Sequence, residues 1–220
     1  MKIAELKKRR KNLTAVVFEG EVDAASKGWK TDSVGYPVLD SGYCAEAGLA
    51  VGDDISEERF CELYAGSQYV RAREKALWYI DYSDISKKGL YGKLRREYGE
   101  EISARVSDRM EELGLIDDRR YAERYAEILL GEKRVAPRKA IMMMTAKGID
   151  RETARSALEQ VGQDPVGVIC ELIEKKYISR MHDPDGVRKT VAALARRGFS
   201  FSDIREAVKR YNDETEFYEE

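Results

Sequence analysis

The chain has 220 residues, of which 43% are hydrophobic and 36% charged, enough apolar material for packed cores but more charge than a typical globular domain carries. Its 39 basic and 41 acidic residues leave a net charge of −2, which argues against polyanion binding through bulk charge and assigns any such role to local clusters. Cys44, Cys61 and Cys170 are scattered and odd in number, and the basic start lacks the apolar core of a signal peptide; a disulfide framework and a membrane span are excluded, and a cytoplasmic protein is expected.

Residues 2–8 and 13–19 have β-branched character and flank the basic run Arg9-Arg10-Lys11-Asn12, the pattern of a hairpin with a positive loop. Residues 20–40 carry Gly28, Gly35 and Pro37 with weak periodicity and leave room for a third strand over 36–39. A short helix over 41–49, closed by Gly48 or Gly52, precedes a second that starts at the capping Ser56 and ends near Gly66. Residues 1–69 therefore read as a small α+β module.

From residue 70 the apolar spacing becomes helical. Ile102, Val106, Met110 and Leu113 form one stripe, and Tyr121, Tyr125 and Leu129 the next, each the buried face of an amphipathic helix. The stretch L-G-L-I-D-D-R-R-Y-A at residues 113–122 lies between them. Gly114 stops one helix, Leu115 and Ile116 tuck under the turn, and Asp117 or Asp118 caps the next.

The same grammar recurs. Tyr98-Gly99, Lys147-Gly148 and Arg197-Gly198 each end a helical pattern, and their glycines lie 49 and 50 residues apart. A repeat at this period implies tandem units of three helices. The first unit covers residues 70–116, with helices over 71–82, 90–98 and 101–113. The second covers 117–164, with helices over 118–130, 138–147 and 151–161. The third covers 165–220, with helices over 165–179, 187–197 and 202–212 and an acidic tail, D-E-T-E-F-Y-E-E, that is expected to be mobile. The fold class is mainly α: three tandem three-helix repeats in an extended array, preceded by the α+β module.

No catalytic constellation emerges. Walker, G-x-G-x-x-G, nucleophile-elbow and H-E-x-x-H patterns are absent, and the lone His182, in a loop beside Asp183, rules out any mechanism needing two histidines. Asp117-Asp118 is accounted for by capping. Met142-Met143-Met144 cannot all face one side of a helix, so core filling with one exposed thioether is expected. Trp78 and Tyr79 could stack on bases, but with Leu77 and Ile80 beside them at least one is expected in the core. No cofactor and no metal is expected.

Local charge is the remaining signal. Residues 119–147 hold eight cations against three acids, and Arg95-Arg96 and Arg196-Arg197 stand at matching places before their glycines. The candidate interface residues are Arg95, Arg96, Arg119, Arg120, Arg124, Arg134, Arg138, Lys139, Arg196 and Arg197, as partners for DNA phosphate or an acidic protein surface.

G-L-I-D-D-R-R-Y-A at 114–122, A-K-G-I at 146–149 and L-A-R-R-G-F-S-F-S-D-I at 194–204 resemble the RecX family in content, order and spacing, and G-L-A-V-G-D-D-I-S-E-E-R-F at 48–60 is similar to the extension of some members. The resemblance implies a curved array that binds along the RecA filament on DNA and restrains strand exchange, ATP hydrolysis and co-protease action in recombination, DNA repair and the SOS response. It implies no catalytic residues. A monomer is expected, because a groove-binding array needs no symmetric partner. The alternatives from other classes are a helix-turn-helix DNA-binding repressor and a scaffold for another protein.

Overall fold

A computed structural model describes the backbone of residues 1–219 and the side chains as far as Asp213. The chain forms two compact units, one of residues 1–84 and 88–116, the other of residues 85–87 and those from Asp117 onward.

In the first unit β1 (Ile3–Arg9), β2 (Leu13–Phe18) and β3 (Val38–Asp40) make an antiparallel sheet in the order β1-β2-β3. Arg9 pairs with Leu13, so the hairpin turns on three residues, with positive φ at Lys11 and Asn12. The expected hairpin and third strand are present. The basic loop is not wholly free, since Arg9 bonds the carboxylate of Asp32 at 2.8 Å. Ile3, Val16, Leu39 and Phe60 are buried together with Trp29, whose ring meets Phe60 edge-on at 4.7 Å.

Asp40 ends β3 and accepts the Tyr43 N–H to cap α1 (Ser41–Glu46). Ser56 caps α2 as expected, but α2 runs unbroken over Glu57–Tyr82. The expected stop at Gly66, and with it a boundary at 69/70, falls inside one helix. Gly66 serves a different need. A Cβ there would lie 2.0 Å from the Tyr43 hydroxyl, so the missing side chain admits Tyr43 against the helix, while the next residue, Ser67, accepts the Asp40 N–H at 2.6 Å.

Over the second half of α2 the buried positions are small, Ala72 and Ala76, whereas Leu77 is 42% and Trp78 53% exposed. None of residues 77–80 is fully buried, so the expectation of a large core residue among them fails: the second half of the helix buries Ala72 and Ala76 and leaves Trp78 and Tyr82 exposed. The next helical stretch, α3 (Lys87–Glu112), is broken at Gly99 (φ 77°, ψ 179°) into the two helices expected. Its second half buries Ser103, Val106, Ser107 and Met110, leaving Ile102 half-buried and Leu113 exposed. Below Gly114 the turn tucks in Ile116 but leaves Leu115 40% exposed.

The second unit holds two copies of one three-helix pattern, whose second-helix ends, glycine turns and third helices lie 50 residues apart. Here α4 (Asp118–Glu127), α5 (Pro137–Ala146) and α6 (Arg151–Val161) are followed by α7 (Pro165–Leu172), α8 (Pro184–Arg196) and α9 (Phe201–Glu219). Buried Ala140, Met144, Ile149, Ala154 and Ala157 correspond to buried Thr190, Leu194, Phe199, Ile204 and Ala207. Gly148 and Gly198 both have positive φ, and the residue after each returns its N–H to the helix at Met144 or Leu194. That geometry satisfies helix-end carbonyls and drives Ile149 and Phe199 into the core. Asp150 and Ser200 then cap the third helices.

Each first helix continues in a π-helical turn, Ile128–Glu132 and Ile173–Tyr177. Met144 is buried and Met142 is 67% exposed, as anticipated. The backbone of α9 continues as helix to Glu219, through most of the segment read as a tail; side chains beyond Asp213 and all of Glu220 lie outside the described residues. No helix among the described residues is long and apolar enough to cross a membrane.

Candidate basic interface

The ten candidate cations fall into three sets. Arg95 and Arg96 lie in the first half of α3 in the first unit, both exposed, and Arg95 pairs with Glu100 across the Gly99 break. Arg119, Arg120 and Arg124 occupy α4 in the second unit, also exposed. Their helix starts where it does because Asp117 accepts the Arg120 N–H at 2.9 Å, while Asp118 accepts the Lys87 N–H at 2.8 Å. The tempting acid pair is thus engaged in holding backbone. Arg119 pairs with Glu123 at 3.2 Å with its side chain 78% exposed, a solvated contact that is easily exchanged.

The third set converges at the joint between the second and third repeats. Arg134 has φ 48°, a left-handed turn that lets Val135 and Ala136 enter the core. The Ala136 N–H donates to the Arg197 carbonyl at 3.0 Å, and the Arg197 guanidinium donates back to the Lys133 carbonyl at 2.6 Å. Lys139 Nζ donates to the Arg196 carbonyl at 2.6 Å, and Arg134 Nη2 reaches Glu171 at 2.8 Å. Lys175 first, and Arg134 with it, hold the Glu171 carboxyl below its ordinary value. Arg134, Lys139 and Arg197 therefore hold the joint itself. The exposed side chains left over are Arg138 and Arg196, on the rim of a groove of about 770 Å³ walled by Met142 and Phe201.

Sequence reasoning has Arg134, Arg138 and Lys139 in one basic stretch and Arg196 and Arg197 in another, before their glycine; it missed that the fold brings the two together and that Lys139 and Arg197 are committed to main-chain carbonyls and Arg134 to the Glu171 carboxylate. The only advance signal was their position beside a helix end, where carbonyls lack intrahelical partners. His182 is exposed, and its neighbour Asp183 caps α8 by accepting the Gly186 N–H at 2.8 Å.

Paired three-helix repeats, joined through cation-to-carbonyl bonds and bearing further arginines on their open faces, define a helical-repeat protein whose surface carries its charge in local sets. Comparison with known proteins gives the lineage. Residues 117–158 match the second three-helix domain of RecX, and residues 165–208 the third. The chain is 30% identical over 143 residues to the "Regulatory protein RecX" of Chromohalobacter salexigens, covering 64% of this chain and 93% of that one. It is 34% identical over 146 residues to the protein of the same name from Mycobacterium leprae, covering 63% and 84%. The chain belongs to the RecX family of regulatory proteins. A crystal structure titled as regulatory protein RecX shares the fold over 95% of this chain and 98% of its own, with a TM-score of 0.62 at 20% identity.

Proposed function

We propose that this chain is a non-enzymatic regulator that lies along the RecA filament on DNA and restrains strand exchange, ATP hydrolysis and co-protease action. The observation that carries this reading is the exposed set Arg119, Arg120, Arg124, Arg138 and Arg196, whose side chains are outside the joint. A repeat array offers such charges at intervals, which suits a partner that is itself periodic and anionic. Arg95 and Arg96 extend the set into the first unit. Arg134, Lys139 and Arg197 support it indirectly, by holding the second and third repeats in register.

The test is charge reversal. Arg119→Glu, Arg120→Glu, Arg138→Glu and Arg196→Glu together should abolish most inhibition of RecA-driven strand exchange while leaving far-ultraviolet circular dichroism unchanged. Unaltered inhibition would overturn the assignment. Binding is to be compared on bare single strand, duplex and recombinase-coated strand. Preference for the coated strand supports the regulator, whereas tight, site-selective binding to duplex alone would make the chain a DNA-binding repressor instead.

A further inference from the structure

The most unusual exposed surface lies in the first unit, on the last turns of α2. Trp78 and Tyr82 stand four residues apart, on one face of the helix, and their rings stack with centroids 5.7 Å apart and planes at 13°. Trp78 is 53% and Tyr82 76% exposed. Tyr79 meets the Trp78 ring edge-on at 5.1 Å. Lys75 Nζ lies 4.7 Å from the Trp78 ring centre and 5.4 Å from that of Tyr79, and Lys93 Nζ comes from α3 to within 4.4 Å of Tyr79. Among the described residues neither lysine is paired with a carboxylate.

Exposing the two rings of Trp78 and Tyr82 to water, beside a half-buried Tyr79, is unfavourable, and a monomer gains nothing in packing from it. A column of flat rings with ammonium groups beside it complements a ligand that alternates flat rings with anions. Glu74, four residues before Trp78, and Asp81, three after it, lie on the same side of the helix, so the cationic part of the surface is confined to Lys75 and Lys93, which lie against the Trp78 and Tyr79 rings.

We propose that this face binds single-stranded nucleic acid. A base extends the stack on the open face of Tyr82, and the strand runs back past Trp78 so that its phosphates meet Lys75 and Lys93, which lie against the Trp78 and Tyr79 rings. Base–aromatic stacking is tolerant of sequence, as a protein meeting arbitrary strand requires. The inference rests on the reading that the chain works on a strand coated by recombinase; it adds a direct contact with the strand, remote in sequence from the arginines of the second unit.

The full chain supplies its own probe, because of its two tryptophans Trp29 is buried against Phe60 and Trp78 is exposed. Titration with an oligothymidylate should quench the exposed component of the emission saturably, with an affinity that falls as salt rises. Tyr82→Ala should weaken binding about tenfold, and Lys93→Glu should weaken it and flatten the salt dependence. Trp78→Phe should keep most of the affinity, read by anisotropy of a labelled strand, while removing the quenching.

Binding without quenching, or an affinity unchanged in Tyr82→Ala, would overturn the proposal. So would quenching by recombinase without DNA, which would make the face a protein-docking surface. Inhibition of strand exchange measured on the same proteins separates the two readings. If the wild type inhibits but does not quench with the strand, this site fails and the regulator stands; if it quenches but does not inhibit, the reverse holds.

Discussion

The Arg197 guanidinium donates to the main-chain carbonyl of Lys133 at 2.6 Å, across 64 residues of sequence, while its own carbonyl accepts the Ala136 N–H. One residue is thus bonded through both side chain and backbone to the segment that starts α5. Arg196, its neighbour in sequence, points its side chain to solvent and contributes only its carbonyl, to Lys139.

Two adjacent arginines should therefore behave differently. Arg197→Ala is expected to lower stability by about 1 kcal/mol, the usual cost of a lost charged hydrogen bond that is partly screened, whereas Arg196→Ala should be close to neutral. Urea unfolding of the two variants measures this directly. Equal midpoints would mean that the guanidinium bond contributes nothing to the joint.

The glycines divide in the same way. Gly114 and Gly198 both have positive φ, but a Cβ on Gly114 meets open space whereas one on Gly198 would lie 2.6 Å from Lys139 Cβ. Gly114→Ala carries only the left-handed strain, about 1 kcal/mol. Gly198→Ala adds overpacking of about 1–3 kcal/mol, because α5 would have to move. Thermal melts should rank wild type above Gly114→Ala above Gly198→Ala.

Thr190 occupies the place that Ala140 fills one repeat earlier; it is fully buried, and among the described residues its hydroxyl has no hydrogen-bond partner. Valine has nearly the same shape without the polar group. Thr190→Val should raise stability by about 1 kcal/mol, since an unsatisfied buried hydroxyl is penalised. A lower melting temperature would show that the hydroxyl is satisfied after all.

Burial pushes the Cys44 thiol, assisted by the charge of Asp40, up to about 11 from an ordinary 9.0, and burial raises Tyr98 to about 12 from 10.0. Both groups hold their protons more firmly in the folded chain than in the unfolded one. Their contribution is complete below about pH 9 and is lost as pH rises towards 12, by roughly 2 kcal/mol for each group. Denaturant midpoints for the first unit should fall across that window. At pH 8 a maleimide should label exposed Cys61 first and buried Cys44 only on unfolding.

Helix existence, the recurring glycines 49 and 50 residues apart and the caps at Ser56 and at the Asp117-Asp118 pair follow from local chemistry: a positive-φ glycine, a short polar side chain and apolar spacing act within a few residues, so the sequence by itself determined them. It also determined membership of a known family, through three motifs in order. Tertiary structure alone decided whether Gly66 would break α2, because the reason is Tyr43, distant in sequence and seated against it. It likewise decided that alanines rather than Trp78 face the core, and that Arg134, Lys139 and Arg197 hold a joint while Arg138 and Arg196 remain open. A charged side chain carries no local mark of whether a carbonyl sixty residues away will claim it; that depends on which helix ends the packing brings together.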